Sequence, residues 1–238
     1  MEKIFLVFLL IFHGGFSAVT RVHIHVNERK TWKEAQSYCR QNYKDLSTIS
    51  STEENLRLRT MLGATNNHAW IGMYRNGTEL DQFIWSDGDL QTNFYQWKGG
   101  QPDGKTNNQH CVEVDGTGCA DFGCDNVLPF FCYLTLERDN KTWEEAIAHC
   151  RDHYTDLASL TTNEQLQQVK NNLMGETSIW VGLRFVAGQW YWLNSESVEI
   201  KMSLPECPEE PYSCGALNIS TKQWENRDCE EKIHFLCY

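Results

Sequence analysis

No stretch of this sequence, the apolar run in its first dozen residues included, reaches the roughly 18 uninterrupted apolar residues that a membrane-spanning helix needs, so insertion into a bilayer is not expected. Basic residues are scarce: 21 Lys and Arg stand against 32 Asp and Glu, a formal net charge of −11. That balance repels phosphate backbones and anionic lipid. Nucleic acid and membrane surfaces are therefore not expected partners, whereas local binding of a cation is compatible with it. The usual signatures of catalysis are missing as well. There is no G-x-S-x-G elbow, H-E-x-x-H helix or P-loop, so nucleophilic, zinc-hydrolase and nucleotide chemistry lack their supports and no enzyme is expected. The acid pairs Glu53-Glu54, Glu144-Glu145 and Glu230-Glu231 read as helix-start or solvated residues rather than acid/base dyads.

What is present points to export. The chain opens MEKIFLVFLLIFHGGFSAVT, with Lys3, an apolar run from Ile4 to Phe12 and small residues Gly15, Ser17 and Ala18, the pattern of a signal peptide over residues 1–20. Ten cysteines fit an oxidising, extracellular compartment. Three glycosylation sequons, at Asn76, Asn140 and Asn218, agree with a secreted glycoprotein.

The chain repeats itself. KTWKEAQSYCRQNYKDLSTI (Lys30 to Ile49) recurs as KTWEEAIAHCRDHYTDLASL (Lys141 to Leu160), and WIGM (Trp70 to Met73) recurs as WVGL (Trp180 to Leu183). Two domains follow, residues 21–133 and 134–238, a division that suits 238 residues. No Gly/Ser-rich or Pro-rich linker separates them, which leaves little room for free rotation.

Each copy predicts two helices followed by short strands. Thr31 with Glu34 and Thr142 with Glu145 are capping boxes that start the first helices. Ser51 with Glu54 and Thr161 with Glu164 start the second, with Leu56 and Leu166 among their apolar positions. HAWIGM, SIWVGL, FIWSDG and WYWLNS read as strands ending in turns. Between Trp85 and Cys111 lies a long polar, glycine-containing segment of the kind that is usually functional.

By position in the repeat, Cys39 pairs with Cys132, Cys111 with Cys124, Cys150 with Cys237 and Cys214 with Cys229, although sequence alone does not determine connectivity. Cys119 and Cys207 are left over, one from each copy. They suggest a bridge between the modules or between chains, with exchange of Cys207 and Cys214 as the competing arrangement.

Taken in order and twice over, the helix cysteine, the WIGM or WVGL strand, the paired late cysteines and the closing FFC or FLC strand resemble the C-type lectin-like domain. The whole chain resembles the secreted tandem lectin-like proteins common in fishes. The resemblance implies an α+β fold: two tandem, disulfide-stapled C-type lectin-like domains, each with two helices, small antiparallel sheets and a long loop that carries ligand contacts. It also implies a calcium ion held by loop and strand oxygens that in turn accepts two sugar hydroxyls, chemistry suited to an ion that takes 6 to 8 oxygen ligands.

Gln101-Pro102-Asp103 matches the galactose-type order of that family, with a proline similar to one that is cis in the family. The family's next ligand is usually glutamate; here Gln109 stands two residues before Cys111. The terminal Trp-Asn-Asp element is replaced by Cys119-Ala120-Asp121, and Ala120 has no coordinating side chain. The surviving set for metal and carbohydrate is Gln101, Asp103, Gln109 and Asp121. Two carboxylates and two amides make a weaker calcium site than the family norm.

The second copy has neither a Gln-Pro-Asp nor a Glu-Pro-Asn, and carries Trp224-Glu225-Asn226 instead. No metal or sugar is expected there; Trp224 should pack under the loop, Pro205, Glu206 and Pro208 should form a rigid surface, and any ligand should be a protein. His23 and His25 share one face of an expected first strand but have no Cys or carboxylate within sequence reach to complete a zinc site. Two functions are thus in play. One is a secreted carbohydrate-binding protein with a weak calcium-dependent galactose site in the first domain only. The alternative is a calcium-independent protein-binding or ice-binding module with a degenerate sugar site.

Overall fold

The computed structural model describes residues 20–238 apart from 64–66, 78–81, 90–93, 95, 106–107, 174, 176, 197 and 199–203. Of the leader expected over 1–20, residues 1–19 lie outside the described residues, and Thr20 opens the first strand. In the first copy the elements run β1 (Thr20–Lys30), α1 (Trp32–Asn42), β2 (Asp45–Leu46), α2 (Thr52–Leu62), β3 (Ala69–Arg75), β4 (Phe83–Trp85), β5 (Cys111–Val114), β6 (Cys119–Phe122) and β7 (Leu128–Lys141). The second continues with α3 (Trp143–His153), α4 (Asn163–Asn172), β8 (Ser178–Val186), β9 (Gln189–Trp192), β10 (Cys214–Asn218), β11 (Gln223–Arg227) and β12 (Ile233–Cys237).

The helices start where side chains satisfy the orphan N–H groups of a first turn. Glu34 accepts from the Thr31 N–H at 3.0 Å and Glu145 from the Thr142 N–H at 3.0 Å, completing both capping boxes. Ser51 caps α2 by accepting from the Glu54 N–H at 3.1 Å. The cap of α4 falls one residue later than Thr161. Gln165 accepts from the N–H groups of both Thr161 and Thr162, at 3.0 and 3.1 Å, and Thr162 Oγ1 accepts from the Gln165 N–H, so the amide wins over Glu164 as the box partner. Leu166 is buried as expected, but Leu56 is 58% exposed. Leu58 and Leu62, four apart, turn inward instead, and two residues of helix rotate Leu56 by about 200° away from them.

The glycine of WIGM and WVGL has a steric cause. A Cβ on Gly72 would lie 2.8 Å from the Leu46 carbonyl oxygen, and one on Gly182 would lie 2.8 Å from that of Leu157. These strands sit so close to the neighbouring segment that only a bare Cα fits. The tryptophans just ahead of them donate from Nε1 to the first strand of their own copy, Trp70 to Lys30 O and Trp180 to Lys141 O, both at 3.0 Å.

All twelve strands belong to one sheet. Its hinge is β7, whose first half pairs antiparallel with β1 (Thr20↔Leu136 to Val26↔Phe130) and whose second half pairs with β12 (Ile233↔Lys141, Cys237↔Thr135). The boundary drawn at 133/134 therefore falls inside a continuous strand. A buried cluster spans it, joining Val22 and Ile24 to Leu166, Val169 and Leu217. The outer edge of β1 is covered by the second copy: Gln168 accepts from the His25 N–H at 2.6 Å and donates to its carbonyl at 3.0 Å, and Asn172 donates to His23 O at 3.1 Å. Such cover removes an open edge that would otherwise invite pairing with another chain.

The structure joins Cys39 to Cys132, Cys111 to Cys124, Cys150 to Cys237 and Cys214 to Cys229. Closing loops of 93 and 87 residues contributes about 4 to 5 kcal/mol each in the chain-entropy account. The bridge expected between Cys119 and Cys207 is not formed. Cys119 is buried on β6 against the apolar cluster that holds Trp97, and burial pushes its thiol up to about 12, so it is an inert core residue. Cys207 is exposed on the second long loop, and its other suggested partner, Cys214, is taken by Cys229.

Candidate functional site

The first long loop runs between β4 and β5 and is clamped onto the β5–β6 hairpin. Lys98 N–H donates to Cys119 O and Cys119 N–H to Gln96 O, both at 2.9 Å. Ladder pairing of Val112 with Asp121 fixes Asp121 in β6, and a cis Gln101–Pro102 bond turns the loop back over it. The four predicted residues come together there. Gln101 Nε2 donates to Asp103 Oδ2 at 3.0 Å, and Asp121 accepts from two loop N–H groups, Asp103 at 3.0 Å (Oδ1) and Gly104 at 2.9 Å (Oδ2). Gln109 Nε2 donates to the Asp121 backbone carbonyl at 3.5 Å.

Two residues that sequence reasoning missed complete the cluster. Arg75, the last residue of β3, donates from Nη2 to Asp121 Oδ2 at 3.0 Å, with side chains that are 3% and 0% exposed. Its guanidinium also lies 5.0 Å from the centre of the Phe83 ring. Lys105 Nζ lies 2.6 Å from Asp103 Oδ2, and its N–H donates to Asp103 Oδ1 at 3.2 Å. These bonds from Lys105 hold the Asp103 carboxyl below its ordinary pKa, and Asp103 raises that of Lys105 in return.

As arranged, this set does not fit a calcium ion. Every carboxylate oxygen of Asp103 and Asp121 already accepts a hydrogen bond. The two negative charges are matched by Arg75 and Lys105, and the remaining buried acceptor without a partner is Gln101 Oε1. A calcium ion would add two charges to a balanced site and would have to strip those donors from their acceptors. Among the described residues, no three His, Cys, Asp or Glu side chains are grouped so that they could hold a metal.

Lys105 sits in the long polar loop, two residues past Asp103. Arg75 leaves a fainter signal: it ends an apolar strand run where the second copy, read from Trp180 in the same way, has Phe185. Its partner is 46 residues away, and no local pattern reveals such a pairing.

Behind the loop, Lys98 Nζ bridges Glu113 (3.2 Å) and Asp115 (2.7 Å). Burial would raise the Asp115 carboxyl, but bonds from Lys98 and Thr117 outweigh it and hold it at about 2. This group packs the hairpin from inside. His23 is buried between Ser47 Oγ (3.0 Å) and Glu54 (3.9 Å), while the His25 ring packs 4.9 Å from that of Phe131.

The second copy builds no comparable cluster. Asn226 stands where Asp121 does, and its amide donates to Tyr212 O at 3.3 Å. Glu225 is held by Asn218, Ser178 and Arg227. Trp224 is buried, edge-on to Trp192 at 5.7 Å. Pro205 and Glu206 are exposed, and Pro208 is half-buried.

The family model for the lectin C-type domain matches residues 28–134 and 139–238. The chain belongs to the C-type lectin family. It is 24% identical over 251 residues to human lymphocyte antigen 75, covering 87% of this chain but 14% of that protein. It is 36% identical over 94 residues to a lectoxin, a C-type lectin of Thrasops jacksonii, covering 37% of this chain and 58% of the other. The C-type lectin carbohydrate-recognition domain of the mouse scavenger receptor superposes with a TM-score of 0.43 at 24% identity, covering 48% of this chain and 88% of that one. The chain thus spans only a small part of the length of lymphocyte antigen 75, and the two matched segments are consistent with a tandem C-type lectin. No helix among the described residues is long and apolar enough to cross a membrane.

Proposed function

We propose that this chain is an exported, non-enzymatic recognition protein whose first module binds its ligand, a polypeptide, through the long loop without calcium. The observation that carries this is the Asp121 carboxylate. It is fully buried, paired with Arg75, and tied to the Asp103 and Gly104 N–H groups. The loop-ordering work that the family gives to calcium is done here by a guanidinium, and charge-assisted bonds of this kind are about twice as strong as neutral ones. The ligand would then meet a preformed loop carrying Gln101, Lys105 and Gln109.

A second reading, calcium-dependent galactose binding by Gln101, Asp103, Gln109 and Asp121, draws support from two features. Gln101 Oε1 is an unspent acceptor, and the Lys105 side chain is 76% exposed and free to swing off Asp103. Calorimetric titration of the full chain with calcium, with and without galactose, separates the two. No saturable heat up to about 10 mM calcium is expected, since two carboxylates already paired with cations leave too little charge for even a weak site. Calcium binding that Asp103→Asn abolishes would restore the galactose reading. Export is supported by the apolar leader and four disulfides, and Asn76 and Asn140 are exposed and open to glycans. Asn218 is a poorer acceptor, because its amide donates to Glu225 and accepts from the Thr221 N–H, both at 2.8 Å.

A further inference from the structure

β1 carries the one sequence feature that the loop site does not absorb, the His23-Ile-His25 run. Beyond it, His25, Asn27 and Arg29 line a cavity of about 250 Å³ together with Asn67 and His68. Leu62 and Leu128 supply an apolar wall. Although the chain as a whole is strongly acidic, no carboxylate lines this cavity among the described residues. Glu28, the nearest acid in sequence, is not among the lining residues and pairs with Lys30 at 2.7 Å.

The polar groups around the cavity have unspent hydrogen-bonding capacity. His25 Nε2 is buried and has no partner. His68 Nδ1 is 2.8 Å from Glu113 Oε2, which fixes the ring and leaves Nε2 as its free nitrogen. Arg29 and Asn27 make no ion pair or side-chain hydrogen bond among the described residues. Burial lowers the pKa of His25, so near neutral pH its imidazole serves as a hydrogen-bonding group and Arg29 is the fixed positive charge. The net charge of the molecule does not forbid an anion here, because charges more than about 8 Å away are largely screened at physiological salt.

The geometry points to a second ligand site on the first module, independent of the long loop, that takes the sulfate or carboxylate group of a small anionic sugar, with Arg29 as its fork and His25, His68, Asn27 and Asn67 as hydrogen-bonding partners. A guanidinium offers such oxyanions paired N–H groups, and the cavity is about the size of one ring bearing one charged group.

The test follows the histidine ring-proton signals of the full chain by NMR, at constant ionic strength, during titration with sodium sulfate and, separately, with N-acetylneuraminic acid. Saturable shifts of the His25 and His68 signals are expected with at least one probe, with a Kd of about 1 to 10 mM, and none with galactose. Arg29→Gln should weaken binding about tenfold, and Asn27→Asp, which places a carboxylate in the cavity, should weaken it by at least as much. Both residues are exposed and untied, so both variants should fold. Saturation by sulfate alone assigns a sulfated ligand, and saturation by the sugar acid alone a carboxylated one. Absence of saturation with either probe, or binding that both variants leave intact, overturns the site.

Discussion

The two modules of this chain were built from one plan, and the places where they still agree differ in kind from the places where they do not. Trp32 and Trp143 donate to Ile71 O and Val181 O at 2.8 and 3.0 Å. Arg40 grips Asp45 as Arg151 grips Asp156, both with Nη2 at 2.9 Å, and each aspartate caps the next N–H. Gly72 and Gly182 meet the same obstacle at the same distance. These agreements lie in the helices and central strands. The disagreements cluster at the loop end, where Arg75 and Asp121 of the first module face Phe185 and Asn226 of the second. Duplication thus supplies an internal control: what both copies keep belongs to the shared scaffold, and what one copy has alone sets its own loop apart.

The largest effect expected from breaking this comparison is at Arg75. Arg75→Ala leaves the Asp121 carboxylate buried without its cation, which typically costs about 3 to 5 kcal/mol, and it also loosens the loop N–H groups that dock on Asp121. Urea denaturation should show that loss. The double variant Arg75→Phe/Asp121→Asn, which gives the first module the residues of the second, should recover most of it, because neither charge is then stranded. Equal destabilisation by the single and double variants would show that the ion pair does not anchor the loop.

Much of this organisation is legible without coordinates, and the boundary of legibility has a physical basis. Capping boxes, the W-x-G strands and the cysteine positions are local or repeated signals, and three of the four helix starts are where those signals put them. The shift at Thr162 arises because Thr161/Glu164 and Thr162/Gln165 satisfy the same spacing, and only the amide bond to two N–H groups decides between them. The predicted oxygen donors do assemble in one place, but the pattern that located them is silent about Arg75, whose relation to Asp121 exists only after the sheet is folded. Likewise, nothing in residues 128–141 announces that one strand serves both modules. Each half reads as an ordinary strand, and only pairing with β1 and β12 reveals the fusion.

A smaller effect separates the modules in acid. At the third helical position α2 has Glu54 and α4 has Gln165, so only the first module should respond to pH there. Burial would raise the Glu54 carboxyl, but the facing His23 ring and the Ser50 N–H and hydroxyl outweigh it and bring it down to about 2. A carboxyl depressed in the folded state stabilises above its unfolded pKa, near 4.5, and that contribution fades as pH falls toward 2. The loss should be on the order of 2 kcal/mol. Glu54→Gln, which copies the second module, should flatten the stability profile between pH 5 and 2. An unchanged slope would place the acid response elsewhere.

The smallest effect sharpens the comparison instead of breaking it. Gly72→Ala and Gly182→Ala each push a methyl group to 2.8 Å from a backbone carbonyl oxygen, an obstacle that cannot rotate away as a side chain could. Each should cost about 1 to 2 kcal/mol, within the range for overpacking. Because the two sites share no neighbours, the double variant should cost the sum. The fused sheet makes a further demand on this result. If the modules unfold together, as β7 and the shared apolar cluster require, each single variant should shift one common denaturation transition by the same amount. Two separate transitions, each sensitive to only one of the glycines, would mean that the modules are independent despite their shared strand.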